Sequence, residues 1–335
     1  MTPSAAPAPP PATLPPHPDV HAGRRAWLFL TGGTNRVLEQ YGRPGIPRRV
    51  LWRWRRLLSE RVRGCARLGA RYVHAVAPEK LTIYPELTDG LAYDPERAPA
   101  LRLARWLRFS PARGAWVDLT GALRRARDGT PLYLHTDSHW TFAGCETAYR
   151  AILAAMGVAP REDLAARRIP ETIRFFGDLG DKFEPVRTED AEGTRFESAA
   201  RRVHANPFLL HFEALGRAQD AHLGAHAVFR NDDPGVDPRR LVIFGDSYAQ
   251  HTPRSPTATL TALLADTFAE VHFLWSPSID WEYLERVRPD FVLGEVAERF
   301  MIDVPPAGFR IERLAELALA RKADLGADPL VGSSS

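Results

Sequence analysis

A serine in a tight turn, together with a histidine and an aspartate two residues apart, are the residue types in this chain that could make or break an ester bond. Leu241-Val242-Ile243-Phe244 runs straight into Gly245-Asp246-Ser247-Tyr248, placing a hydroxyl at the carboxyl end of a strand-like apolar run. In α/β folds a small residue before such a turn exposes a nucleophile, and a helix N-terminus nearby favours developing negative charge. A serine hydroxyl is a weak nucleophile at neutral pH and needs a base oriented by an acid. Thr136-Asp137-Ser138-His139-Trp140, also directly after an apolar run, offers both. In extended backbone, residues two apart share a side, so Asp137 can fix the His139 tautomer and leave the other ring nitrogen to take the Ser247 proton. Taken singly, Gly-Asp-Ser is a common turn and Asp137 a helix cap ahead of Thr141. Two such blocks, each behind a strand, point to Ser247, His139 and Asp137 as a catalytic set.

Three other groupings compete. His135, Asp137 and His139 alternate, so on a straight strand they would face one way and could hold a divalent ion, as in a metallohydrolase. That alternative explains Gly-Asp-Ser less well and lacks further clustered ligands, so no metal is expected. His204, His211, His222 and His226 follow later, and the last pair has the i, i+4 spacing of a helical metal grip. No glutamate follows His222, and these are read as surface histidines. Arg48, Arg49, Arg53, Arg56, Arg63 and Arg67 share a helical pattern with Leu51, Trp54, Leu58 and Val62. An amphipathic helix with a solvated basic face accounts for them without nucleic acid or membrane. Neither a phosphate-binding Gly-rich loop nor a dinucleotide fingerprint occurs, so no cofactor is expected.

The elements that must position these residues follow from composition and pattern. The chain has 335 residues, 44% of them hydrophobic, with 44 basic against 41 acidic side chains. That balance suits one large globular domain or two ordinary ones, excludes a disordered or fibrous protein, and makes a poor case for nucleic acid. Cys65 and Cys145 fall in helix-like apolar patterns and are read as free buried thiols, which excludes a disulfide-built scaffold. No apolar run is long enough to insert in a membrane, and the N-terminus as written lacks the order of a secretory signal, so a cytoplasmic location is expected. Eight of the first 18 residues are proline, and residues 1–22 are expected to form a disordered tail. The globular domain would occupy 23–335. Buried strands are expected at Trp27 to Leu30, Tyr72 to Ala77, Trp116 to Leu119, Leu132 to Leu134, Leu241 to Phe244, Val271 to Trp275 and Phe291 to Leu293. Helices are expected near 47–69, 97–109, 141–156, 257–268 and 280–287. This alternation predicts an α/β fold with a parallel sheet covered by helices on both faces. Residues 158–240 break the rhythm and are expected to form an insertion or lid.

With these residues placed, the chain resembles the SGNH-hydrolase-like domain of the alginate O-acetyltransferase family, AlgX and AlgJ, over most of residues 25–305. The similarity lies in Trp27-Leu28-Phe29-Leu30 with Gly32 and Asn35, in Pro78-Glu79-Lys80 with Ile83-Tyr84-Pro85-Glu86, and in Asp137-Ser138-His139-Trp140-Thr141 with Gly144. Gly177-Asp178-Leu179-Gly180 and Gly245-Asp246-Ser247-Tyr248 complete it. The resemblance implies a three-layer α/β/α fold with a central parallel sheet and a Ser247, His139, Asp137 triad, with the serine block last where ordinary SGNH hydrolases place it first, as in a circular permutation. It implies an acyl-serine intermediate and transfer of an acyl group from a donor to a carbohydrate or to water, in polysaccharide or glycoside modification. It also implies polysaccharide-synthesis proteins as partners, and a periplasmic location as the alternative to a cytoplasmic one. The loops Trp275-Ser276-Pro277-Ser278 and Leu293 to Arg299 lack the asparagine expected as an oxyanion donor. The Ser247 amide would then need help from Arg299 or from the Gly32 to Asn35 loop, with Asp246 and Tyr248 as the neighbours on the substrate side. A missing donor costs about 3 to 4 kcal/mol of transition-state stabilisation. A non-catalytic carbohydrate-binding or assembly subunit is therefore the alternative.

Overall fold

A computed structural model describes residues 16–250 and 259–326. Strand β1 (Val20–Ala22) pairs antiparallel with β2 (Leu28–Leu30). Ordered structure thus reaches into the expected tail, because Val20 packs with Leu28, Leu179 and Phe183 in a small apolar cluster. Residues 1–15 of that tail lie outside the described residues. The other strands are β3 (Arg71–Ala77), β4 (Thr172–Phe175), β5 (Glu189–Glu192), β6 (Arg201–Ala205), β7 (His226–Arg230), β8 (Asp237–Gly245), β9 (Phe268–Trp275) and β10 (Phe291–Ala297).

The central sheet has the order β3-β10-β8-β9-β7-β6. The first four of these strands run parallel, while β7 and β6 add antiparallel. Side chains alternate along β8: Leu241 and Ile243 enter one core, Val242 and Phe244 the other. One face is covered by α1 (Arg48–Arg67), α3 (Pro99–Leu107) and α8 (Trp281–Val287). On the opposite face lie α4 (Leu119–Ala126), α5 (Phe142–Met156), α6 (Pro207–Ala214) and α7 (Leu260–Ala265). The short α2 (Lys80–Ile83) follows β3, and α9 (Ile311–Gly326) ends the described chain. Two buried faces per strand explain why these strands read as continuous apolar runs. The result is a three-layer α/β/α fold with a mostly parallel sheet. Among the described residues no helix is long and apolar enough to cross a membrane.

Two strand expectations need correction. Trp116 makes a single bridge to His74, and Leu119 already starts α4, capped by the Asp118 carboxylate. Leu132 to Leu134 is a loop in which Tyr133 bridges Trp140. Within residues 158–240, expected as an insertion or lid, β6 and β7 extend the central sheet, and β8 begins at Asp237. Their weak periodicity reflects an edge, where β6 is mostly exposed. The His222 and His226 pair is not helical either, since His226 lies in β7. Cys65 and Cys145 are buried and unpaired, as read from their patterns.

Candidate active site

Register places four chain turns together. Gly245 pairs with Trp275 and Ala77 with Ala297, so β3, β10, β8 and β9 all end at one edge of the sheet. In open α/β sheets the crevice beyond the carboxyl ends of the strands is where ligands bind. The loops leaving that edge begin at Pro78, Asp246, Ser276 and Glu298.

Ser247 sits in a single hydrogen-bonded turn after β8, with the amides of Ala249 and Gln250 donating to the Asp246 carbonyl at 3.1 and 3.0 Å. Gly245 is required here: a Cβ would come within 2.8 Å of the Ala249 Cβ and 3.0 Å of Glu295 Oε2. The Asp246 carboxylate accepts from the amides of Tyr248 at 3.0 Å and Ala297 at 2.6 Å, tying the turn to β10. Glu295 accepts the Asp246 amide at 3.0 Å. Burial, and then the Asp246 charge, push the Glu295 carboxyl well above its ordinary value. A carboxyl raised on folding stabilises most below its unfolded pKa and loses that contribution as pH rises through the folded one. Glu295→Gln is therefore expected to flatten the decline of stability with rising pH, measured by urea unfolding at several pH values. An unchanged pH dependence would contradict a protonated Glu295.

His139 Nε2 lies 2.8 Å from Ser247 Oγ, and His139 Nδ1 lies 2.7 Å from Asp137 Oδ1. The structure thus brings the three expected residues together, although Asp137 to His139 is a looped segment, not an extended strand. Asp137 Oδ1 also accepts the His139 amide at 2.7 Å, and Oδ2 accepts the Asp178 amide at 3.0 Å. With Asp137 acting only as acceptor, Nδ1 carries a proton and Nε2 of the neutral ring is free to accept from Ser247. Thr141, not Asp137, caps α5. Burial would lower the His139 pKa, but the Asp137 carboxylate raises it above the ordinary imidazole value. Burial would likewise raise Asp137, yet the charge and hydrogen bonds of His139 hold it below the usual carboxylate range.

Groups distant in sequence hold this loop. Asp178 accepts from the Ser138 amide at 2.7 Å and the Ser138 hydroxyl at 2.6 Å. Glu189 on β5 accepts from the His135 and Thr136 amides at 3.0 and 2.7 Å. Buried Lys80 donates to the Leu134 and His135 carbonyls at 2.9 and 3.1 Å. Gly177 passes so close that a Cβ would lie 2.2 Å from the Asp137 Cβ. Gly177→Ala is expected to displace Asp137 and lower any Ser247-dependent esterase rate by about 10²-fold, since a misplacement of about 1 Å has that effect. A rate within a factor of about two of wild type would contradict it.

The remaining expected site residues divide. Tyr248 is fully buried, and its hydroxyl donates to the Ser138 carbonyl at 2.7 Å, joining the serine turn to the Asp137–His139 loop. Arg299 is buried beneath the same loop, with Nε 2.8 Å from Glu79 Oε1 and Nη2 3.0 Å from Ser138 Oγ. Both were expected on the substrate side, and both instead brace the site from below. Gly32 turns around Asp19, whose carbonyl accepts its amide at 3.1 Å, and does not line the cavity that Asp246 borders. Asn35 does, together with Asp246. That cavity, of about 240 Å³, is also lined by Trp54, Trp275, Val296 and Phe300. The alternative metal set, His135, Asp137 and His139, is not brought together: the His135 ring packs 4.8 Å from Trp27, and the ligand atoms that cluster belong to Asp137, His139 and Asp178. Both His139 nitrogens already face Asp137 and Ser247, so an ion there would have to displace one of them.

A mostly parallel sheet between helical layers, with serine, histidine and aspartate gathered at the strand ends, defines an SGNH-hydrolase-like domain. The chain belongs to the AlgX acetyltransferase family, whose model, described as an SGNH hydrolase-like domain, matches residues 20–207, more than half of its length. That span includes Asp137, His139 and Asp178, while Ser247 lies beyond it. Probable alginate O-acetylase AlgJ of Pseudomonas aeruginosa is 29% identical over 170 residues, 48% of this chain and 40% of that protein. The chain thus aligns with less than half of that relative. Among solved structures, the O-acetyltransferase domain of Pseudomonas putida AlgJ superposes with a TM-score of 0.54 at 17% identity, covering 91% of this chain and 100% of that one. A DHHW family protein from Eubacterium siraeum gives a TM-score of 0.52 at 16% identity over 75% of this chain and 86% of its own. At such identities these two likenesses speak for the fold.

Proposed function

We propose that the protein is a carbohydrate O-acetyltransferase or acetylesterase working through an acyl-serine. The observation that carries this is the continuous path Ser247 Oγ, His139 Nε2, His139 Nδ1, Asp137 Oδ1, with contacts of 2.8 and 2.7 Å. His139 takes the Ser247 proton as Oγ attacks the acyl carbonyl. The tetrahedral adduct then collapses, and the imidazolium returns the proton to the leaving oxygen of the donor. In the second half His139 deprotonates an acceptor hydroxyl, or water, which attacks the acyl-serine; the acyl C–Oγ bond then breaks and the imidazolium returns that proton to Ser247 Oγ. The Ser247 amide has no partner among the described residues and is the first oxyanion donor. With Arg299 engaged below the site, the Asn35 side chain on the cavity wall is the candidate for the second. Transfer exceeds hydrolysis only where the acceptor is held close and water excluded.

The test is intact-protein mass after exposure to p-nitrophenyl acetate. Wild type should gain one acetyl group mapping to Ser247, and Ser247→Ala and His139→Ala should gain none. Absence of an adduct in wild type, where a control serine esterase reacts, would overturn the mechanism. The acylation rate should rise with pH through a midpoint above the ordinary imidazole value of about 6.5, because Asp137 raises His139 despite burial. The same pair stabilises the fold most while His139 is charged, and that contribution fades as pH rises through the same midpoint. A pH–rate midpoint at or below the ordinary value would contradict this assignment.

A further inference from the structure

The arginine-rich helix α1 contributes nothing to the catalytic set, and its outer face is unlike the rest of the surface. α1 and residues 99–113 hold twelve arginines and one carboxylate, Glu60, in a chain whose net charge is only +3, so the remainder is net acidic. Arg49, Arg53, Arg56, Glu60, Arg63 and Arg67 follow one another at three- and four-residue steps, forming one stripe about 27 Å long at 1.5 Å per residue. Its arginines are exposed, and among the described residues the stripe has one ion pair, Arg56 with Glu60 at 2.8 Å. Two large aromatic side chains stand out of the same region. Trp52 is 51% exposed, and Phe109, in the turn after α3, is 82% exposed. Arg55 Nη2 donates to the Phe109 carbonyl at 3.2 Å, and the Arg48 guanidinium lies 5.8 Å from the Trp106 ring, so Trp52 and Phe109 flank the seam between α1 and α3. Each carries a guanidinium over its ring, Arg56 at 5.9 Å from Trp52 and Arg108 at 5.3 Å from Phe109.

From this we infer that the α1–α3 face docks on an anionic lipid surface, with the arginine stripe against the headgroup phosphates and Trp52 and Phe109 at the boundary between headgroups and acyl chains. The inference stands apart from the acyl-serine reading. A row of arginines that repel one another is stabilised by a plane of negative charge, each basic side chain near such a surface adding to the attraction. Arginine's flat fork matches phosphate oxygens two at a time, and amphipathic aromatic rings settle at headgroup level. A nucleic acid or a uronate chain would satisfy the charge but give Phe109, projecting from its turn, nothing apolar to enter. α1 cannot roll its apolar side into lipid, because Leu51, Trp54 and Leu58 are buried in the core, so the contact is peripheral and reversible. Docking also orients the site. α1 packs on β3 and turns into it through residues 68–70, where the Ala70 amide donates to the Cys65 carbonyl at 2.9 Å, so the two run antiparallel. The Arg48 end of α1 therefore lies toward the sheet edge that carries Ser247. With α1 flat on lipid, that edge opens along the surface and not into it.

The experiment is co-sedimentation of the full-length protein with sucrose-loaded vesicles, one set of phosphatidylcholine alone and one of phosphatidylcholine and phosphatidylglycerol in equal parts. The mixed vesicles should bind at least about tenfold more tightly and release the protein at high salt, which screens exposed charges. Arg49→Glu, Arg53→Glu and Arg63→Glu combined should weaken binding by about 10²-fold or more. Trp52→Ser with Phe109→Ser should weaken it by about tenfold. All five side chains are exposed, and circular dichroism checks that each variant is folded. No binding to the mixed vesicles, equal binding to both kinds, or binding that survives the arginine variant would overturn the inference. Binding unchanged by Trp52→Ser with Phe109→Ser, or tighter binding of polygalacturonate or duplex DNA, would mark a general polyanion site and overturn it too. Acetylation of Ser247 is read separately, so failure of the acyl-serine mechanism would leave a measured lipid preference standing, and the reverse.

Discussion

Asp137→Asn should slow acylation of Ser247 by about 10⁴-fold in a folded protein. The geometry leaves an asparagine no good orientation. With its oxygen toward His139, its NH₂ meets the Asp178 amide, which needs an acceptor and now donates to Asp137 Oδ2 at 3.0 Å. Turned the other way, it presents N–H groups to His139 Nδ1 and to the His139 amide, both of which now donate to Asp137 Oδ1 at 2.7 Å. The ring would then favour the tautomer with its proton on Nε2, facing Ser247, and the base would be lost. In either orientation the negative charge that stabilises the imidazolium is gone. Pre-steady-state turnover of p-nitrophenyl acetate, with circular dichroism to check the fold, measures the effect. A loss of less than about tenfold would show that Asp137 does not orient His139 during the reaction.

Arg299→Met should destabilise the protein by about 3 to 5 kcal/mol, the usual consequence of stranding one member of a buried ion pair. Glu79 is 3% exposed and would lose its cation. Burial already raises the Glu79 carboxyl, with Arg299 opposing that rise. Removing the arginine lets it rise further, so the variant should recover stability as pH falls and the carboxyl takes up a proton. Arg299→Met combined with Glu79→Gln should regain much of the loss. Urea unfolding of the single and double variants at two pH values decides the matter: a loss under about 1 kcal/mol for the single variant would mean that water replaces the arginine. Activity should also drop, because the guanidinium contacts Ser138 and Tyr248, which link the two halves of the site.

The strands around the site were legible because each is a short apolar run ending in a turn, and α1, α3, α5 and α8 because their buried faces recur at helical spacing. The Ser247, His139 and Asp137 grouping was legible because each block carries its own chemistry. What remained hidden is long-range. Glu189 meets the Asp137 loop from 53 residues away and Lys80 from 54, and no local pattern announces either contact. Tyr248 and Arg299 were placed on the wrong side because neighbours in sequence need not face one way: Ser247 is partly open while Tyr248 is fully buried. The edge strand β6 escaped notice because a solvated edge carries charges where a central strand carries valine and leucine, and β7 because its apolar run, Ala227 to Phe229, is only three residues long. Gly177-Asp178 stood out only as a motif, and its closeness to Asp137 is a property of the folded chain.

Ser247 and His139 are 108 residues apart and meet only where parallel strands end together. Parallel pairing of distant segments is a slow, late event in folding. An incompletely folded chain holds the serine apart from its base, so it has no activated nucleophile to capture stray acyl groups. Chemical competence is thereby tied to completion of the molecule, and labelling at Ser247 would serve as a clock for the last step of assembly.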